Sequence, residues 1–389
     1  MIKPIKAIIN NDELGQEFFK QALILIALTL YLPHISVAIF ISIIAILGLF
    51  FPFFRNSLFK YKGSLIAFTF LIVSALVALV NRNFVGFLAS GAFVAMLFVS
   101  AAARSIMTRS LFEKLLDCMV IGGCLSAVHS VIELIVNHNI PNYRSKAFFN
   151  NPNFFGTALT FCILICAFKA ATKAKRVWLY YLATFVLALG IYVSGSMSLW
   201  LVAFVGILLI LIFLKNYKLL AIFCLIAAIG VAMILIFPSI IHRLNELSAT
   251  IKNRVRIWEF AVEQFRNSPI FGRGFYTYRF LYNQLRETKD IYPAAMSHSV
   301  ILDGFLCHGV VGMSIITTAV VRFYTSLFET RKQLKIEGKD RSISAFILAV
   351  GIAVSLYGLM DTTFVWVQTG MILLFFTTGL GVEDKLIQN

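Results

Sequence analysis

The chain has 389 residues, of which 60% are apolar and 13% charged, with 38 Phe and a mean hydropathy of +0.87. Ordinary soluble domains carry roughly a quarter charged residues, so a secreted enzyme, a cytosolic Rossmann protein and a disordered chain are all excluded. The formal charge of +16 would suggest nucleic acid in a soluble protein; here it reads as the loop bias of a membrane protein, with the lipid bilayer as partner and no nucleic acid.

In lipid the backbone is satisfied only by helices or a closed barrel. The apolar segments are continuous runs, not ten-residue alternations, so the expected fold is all-α: a polytopic transmembrane bundle forming a single integral membrane domain over 1–389. About twelve spans are expected, at 18–33, 35–53, 64–80, 85–103, 115–136, 153–168, 177–194, 197–214, 218–237, 299–320, 343–360 and 363–381. Residues 1–20 contain Asp12, Glu13 and Glu17 and no apolar core, so no cleavable signal peptide is expected and the first span serves for targeting. The six Cys all fall in apolar segments with neither disulfide nor zinc spacing, which makes them small core residues.

Lys and Arg set the orientation. With the N-terminus inside, 22 of the 34 face the cytoplasm, including Lys3, Lys6, Arg55, Lys60, Arg104, Lys169 and six from Arg322 to Arg341. Both termini are then cytoplasmic. The loop between spans nine and ten, about 238–298, is extracytoplasmic and carries nine Lys or Arg (from Arg243 to Lys289) against five acids, Glu246 among them. Long loops translocate regardless of charge, yet the excess needs a reason: a bound anion, or an anionic membrane surface.

Within that loop Ile251, Val255, Trp258, Val262 and Phe265 recur at helical spacing, which predicts an amphipathic helix over about 249–267, lying along the membrane surface or packed on the bundle. Asn267-Ser268-Pro269 stops it, and Gly272 and Gly274 allow a tight path around Arg273. Arg254 and Arg256 sit near its first turns. A guanidinium is permanently charged and grips phosphate through paired hydrogen bonds, so a lipid pyrophosphate fits there; arginines snorkelling from an interfacial helix are the plain alternative. Tyr276, Tyr278, Tyr282 and Tyr292 follow among Arg279 and Arg286, and such rings stack on sugars.

Three further features stand at the outer ends of spans. His298, in Ser297-His298-Ser299, precedes Asp303 and Gly309-Val310-Val311-Gly312; a neutral imidazole at that boundary accepts a proton from a sugar hydroxyl, or simply bonds a loop carbonyl. Asn151-Pro152-Asn153 enters span six behind Arg144 and Lys146, as turn and cap residues or as ligands for sugar hydroxyls and an anion. Asp361 between the last two spans either caps span twelve or orients His298. His129, Glu133 and Asp303 lie near or within spans, where ionisable groups are functional candidates by default, with no partner evident.

Arg254, Trp258, Phe265, Pro269, Gly272 and Gly274, then His298 with Gly309 and Gly312, in this order, resemble the signature stretch of the O-antigen ligase and polymerase superfamily of bacterial surface-glycan membrane proteins. The Asn-Pro-Asn at 151–153, the Asp361 turn and one long external loop fit the same pattern. The resemblance implies a glycosyltransferase of the cytoplasmic (inner) membrane that takes a glycan from a polyprenyl-pyrophosphate carrier and transfers it to an acceptor sugar hydroxyl outside. Such proteins build O-antigen, capsule or exopolysaccharide by polymerisation or by ligation, alone or beside other glycan-assembly proteins.

Carried over by position, Arg254 stabilises the leaving pyrophosphate and His298 activates the acceptor. Arg144, Arg256, Arg273, Asn151, Asn153 and Asp361 are the candidate substrate-binding residues, with neither metal nor cofactor. One departure stands out. Many members carry Ser-Arg near the start of span eight, where this chain reads Ser196-Met197, so Arg144, Arg256 or Arg273 would supply the second phosphate contact. The alternatives are a ligase onto lipid A-core, a polysaccharide transporter or flippase, or a scaffold. Against transport, no matching halves and no Gly- or Pro-broken spans in paired positions are evident.

Overall fold

The computed structural model describes residues 12–236, 247–288 and 290–388. Lys3, Lys6, Arg243, Glu246 and Lys289, counted above for topology, lie outside the described residues. Among the described residues there are sixteen helices and no strands. In chain order they are α1 (Asp12–Thr29), α2 (His34–Gly48), α3 (Pro52–Leu58), α4 (Lys62–Val80), α5 (Phe84–Ile106), α6 (Arg109–Val136), α7 (Pro152–Ala171) and α8 (Val177–Ser194). There follow α9 (Met197–Phe213), α10 (Tyr217–Ile236), α11 (Leu247–Arg266), α12 (Thr277–Leu285), α13 (Val300–Ile336), α14 (Ser342–Gly358), α15 (Val367–Thr378) and α16 (Leu380–Gln388).

Six of these helices are long and apolar enough to cross a membrane, α4 to α8 and α13, or seven if α2 and α3, bent by 108°, make one broken span. The expected twelve crossings therefore do not all follow from length. Each expected span holds a helix, but α9 and α14 have 17 residues and α15 only 12. At 1.5 Å per residue α15 rises about 18 Å, short of a hydrocarbon core of about 30 Å. It starts at Val367, not 363, and breaks at Gly379 into α16. At the other extreme α13 runs 37 residues to Ile336, so the basic stretch expected as a loop after residue 320 is helical.

The centre of the bundle is α7, whose apolar stretch is 89% buried inside the protein, against 22% for α4 and α8. Small residues let its neighbours approach, as is usual where helices cannot gain by burying apolar surface from lipid. Leu159 meets Gly190 of α8, Leu164 meets Gly206 of α9, and Cys162 meets Gly123 of α6. Phe161 and Phe168 continue the contact to Phe376 of α15 and Phe346 of α14.

The tenth expected span is not continuous. Gly309 has φ +62° and ψ −167°, which breaks α13. The Pro269–Gly274 loop fills the break. Val310 N donates to Pro269 O (2.8 Å) and Val311 N to Ile270 O (3.1 Å); the amides of Arg273 and Gly274 donate to Cys307 O at 3.1 and 2.8 Å. The groups freed by the break are thus re-bonded inside the protein, the condition for irregular backbone at this depth. Glycine is required by space as well as by dihedral. A Cβ on Gly272 would lie 2.4 Å from Cys307 O, and one on Gly309 2.3 Å from Ile270 O.

Candidate functional site

One end of the bundle gathers the start of α7, the α8–α9 junction, the start of α13 and the α14–α15 turn. The turn is tied to α7 by Thr157 and Thr363, whose hydroxyls are 2.6 Å apart, with Thr363 Oγ1 donating to Tyr357 OH (3.1 Å). Trp366 closes it, stacked on Phe154 with centroids 4.7 Å apart and edge-on to Tyr276 at 5.1 Å. Asp361 is buried in this turn, with 1% of its side chain exposed. It does not cap the following helix, which begins six residues later. Its Oδ1 accepts the Thr362 amide at 2.8 Å and lies 3.2 Å from Nδ1 of His298; its Oδ2 accepts Asn153 Nδ2 at 3.4 Å.

Burial pushes the Asp361 carboxyl up, but the hydrogen bond and charge of His298, the Thr362 amide and the charge of Arg254 together hold it below its ordinary value. A carboxylate only accepts. Nδ1 of His298 therefore carries a proton toward Asp361, and in the neutral form of the ring Nε2 is the nitrogen left with a lone pair. That is the orienting role a buried carboxylate plays toward a catalytic imidazole.

His298 itself has φ +55°, the left-handed region, at a cost of about 1–2 kcal/mol. Strain of this kind persists where neighbours over-determine it. Here they do: Ser297 N donates to Asp303 Oδ1 (2.9 Å), Ser297 Oγ to Ser299 O (3.0 Å), and Trp258 Nε1 to Ser297 O (3.0 Å). Trp258 lies one turn beyond Arg254 on the same face of α11. The helix that carries the arginine thus also braces the histidine turn. Asp303, for which sequence reading found no partner, holds that turn.

On the other side of Asp361 the polar path continues to Arg144. Its Nε donates to Ser194 O (2.8 Å), and its Nη2 donates to Asn153 Oδ1 (2.6 Å) and Ser196 Oγ (3.1 Å). Ser196 Oγ donates to the same Asn153 oxygen at 2.8 Å. Arg144, Asn153, Asp361 and His298 are joined in one hydrogen-bonded series, and the charge of Arg254 acts on its central carboxylate. The guanidinium of Arg144 bonds Ser196, the residue before Met197. Ser196 was not among the sequence candidates; only its place beside the departure at Met197 pointed to it.

The remaining candidates stand apart. Asn151 is the cap of α7, its Oδ1 accepting Asn153 N at 2.8 Å. Arg256, two residues round the helix from Arg254, pairs with exposed Asp290 at 2.6 Å. Arg273 bonds Ser268 Oγ at 3.1 Å in the loop that fills the α13 break. The expected stripe of α11 is only partly packed: Trp258 and Phe265 are half-buried, Phe265 against Phe305. Ile257, Phe260 and Ala261 are buried against Tyr278, Leu281 and Leu306, whereas Ile251, Val255 and Val262 stay exposed. Tyr278 is wholly buried, its hydroxyl on Tyr292 O, so its ring is core and presents no face to a sugar. Glu133 accepts the Lys146 and Ala147 amides and the Tyr143 hydroxyl, and His129 stacks on Phe148, so both hold the loop before α7.

Residues 182–317 match a protein-family model described as O-antigen ligase. The match supports the O-antigen ligase and polymerase superfamily. It takes in Ser196, Arg254, Trp258, the Pro269–Gly274 loop, His298 and Gly309; Arg144, Asn153 and Asp361 lie outside it and are joined to it only by the fold. No curated protein matches the chain. The matched stretch is about a third of the chain, and the likeness suggests a role of O-antigen ligase or polymerase type in surface-polysaccharide assembly.

Proposed function

We propose that this protein transfers a glycan from a polyprenyl-pyrophosphate carrier to an acceptor sugar hydroxyl on the outer side of the cytoplasmic membrane. The long loop is then extracytoplasmic and both termini are cytoplasmic. The observation that carries the reading is the hydrogen-bonded series Arg144–Asn153–Asp361–His298. Nε2 of His298 removes the proton of the acceptor hydroxyl as its oxygen attacks the anomeric carbon. The bond from that carbon to the pyrophosphate oxygen breaks, and polyprenyl pyrophosphate leaves with the electron pair. Negative charge grows on the leaving group, so fixed guanidinium groups at Arg254 and Arg144 stabilise the transition state more than the ground state. Asp361 holds the imidazole tautomer, and Asn153 couples it to Arg144.

The direct test is purified protein with a polyprenyl-pyrophosphate repeat unit, with and without lipid A-core acceptor and with a chelator throughout. A ladder from the repeat unit alone identifies a polymerase, and product only with the acceptor a ligase; either in chelator supports metal-independent transfer. Movement of the lipid-linked glycan across vesicles without any transfer would replace the reading with a flippase.

A further inference from the structure

At the end of the bundle opposite His298 lies a second polar site. The 17-residue helix α14 ends just before Asp361, while its first turn donates Ser344 N to Glu383 of α16 at 2.8 Å, so α16 is a full helix length of about 25 Å away. Beside α16 is a cavity of about 360 Å³ lined by Lys60, Tyr61, Arg104, Ser105, Asp384 and Lys385 among others. Its cations come from three separate elements: the turn before α4, the last turn of α5, and α16. Arg104 spends Nε and Nη2 on one oxygen of Asp384 (3.0 and 2.8 Å) and lies 4.4 Å over the Tyr61 ring. Lys385 Nζ is held on Met107 O at 2.9 Å. Lys60 makes no ion pair among the described residues.

Three cations therefore face one carboxylate, already engaged, in a half-open hollow. Burial and the neighbouring charges of Lys60 and Lys20 push the Lys385 amine down, a sign that the like charges oppose one another. The same end carries an apolar cavity of about 310 Å³ lined by Phe18, Leu47, Phe50 and Phe51. A basic pocket at a helix-bundle end that also carries an apolar hollow matches a headgroup phosphate with its acyl chains. We propose that the Lys60–Arg104–Lys385 cavity binds a phosphate ester group, supplied by the headgroup of an anionic phospholipid. This does not rest on the transfer reaction proposed above.

The test is thermal unfolding of delipidated protein in detergent, titrated with short-chain phosphatidylglycerol, short-chain phosphatidylcholine or inorganic phosphate. The glycerol lipid is expected to raise the midpoint saturably, and the choline lipid not to. Lys60→Gln and Lys385→Gln are each expected to weaken the lipid response about ten-fold, and Lys60→Gln, at an exposed side chain, not to lower the lipid-free midpoint. An equal response to both lipids, or an undiminished response in both variants, overturns the site. Saturation by inorganic phosphate alone, lost in the variants, overturns the lipid as its source.

Discussion

Gly309→Ala tests the joint between α13 and the Pro269–Gly274 loop. The new Cβ would stand 2.3 Å from Ile270 O, 2.4 Å from Ile270 C and 2.6 Å from Phe271 N. These are backbone atoms, so no side chain can swing away. The dihedrals φ +62° and ψ −167° lie where essentially only glycine goes, which costs about 1–3 kcal/mol. The clash adds about 1–3 kcal/mol, as overpacking does. The sum is about 2–6 kcal/mol, or roughly 2–7 °C in unfolding midpoint for a chain of this size. The control is Gly91→Ala, inside α5, where a Cβ meets nothing within 4 Å; it is expected to be neutral or slightly stabilising. The assay is thermal unfolding of both variants in the same detergent. Equal midpoints for Gly309→Ala and Gly91→Ala would refute the joint.

Trp258→Phe keeps an aromatic ring, smaller than the indole, but removes the N–H that braces Ser297, so glycan transfer should fall about ten-fold at unchanged expression; a wild-type rate would show that α11 does not position His298. Arg144→Ala should abolish most transfer, and adding Met197→Arg, beside Ser196, should restore part of it; if the double variant stays as inactive as the single, the two positions do not share one role. Asp361 also makes stability depend on pH. Its folded carboxyl lies below the ordinary value of 3.8, so its contribution is whole above that value and is lost as pH falls through the folded one. Asp361→Asn should therefore unfold at a lower temperature than wild type at pH 7, with the gap closing below about pH 4; a gap unchanged by pH would mean that the carboxylate charge is not what stabilises the turn.

The helical segments were legible because continuous apolar runs and charged loops are local signals. The residues of the site were legible as motifs, but their grouping was not. Arg144 reaches Ser196 across the α8–α9 junction, and Asn153 reaches Asp361 across more than half the chain. No spacing rule connects such positions. The break at Gly309 escaped for the same reason: a Gly inside an apolar run reads as a tolerated small residue until the loop that inserts there is known. On α11 two apolar faces compete. Helical spacing singles out Ile251, Val255, Trp258, Val262 and Phe265, of which only Trp258 and Phe265 are half-buried, whereas the fold buries Ile257, Phe260 and Ala261 because Tyr278 and Leu281 of α12 pack there.

The account rests on Arg254 and His298 serving one reaction centre. The most direct measurement is the glycan-transfer rate of purified Arg254→Ala, His298→Ala and the double variant. Groups that act as a unit are far from additive. Each single variant should lose about 10²–10⁴ in rate, and the double variant little more than the worse of the two. Near-normal rates in either single variant, or a double loss equal to the product of the two, would contradict it.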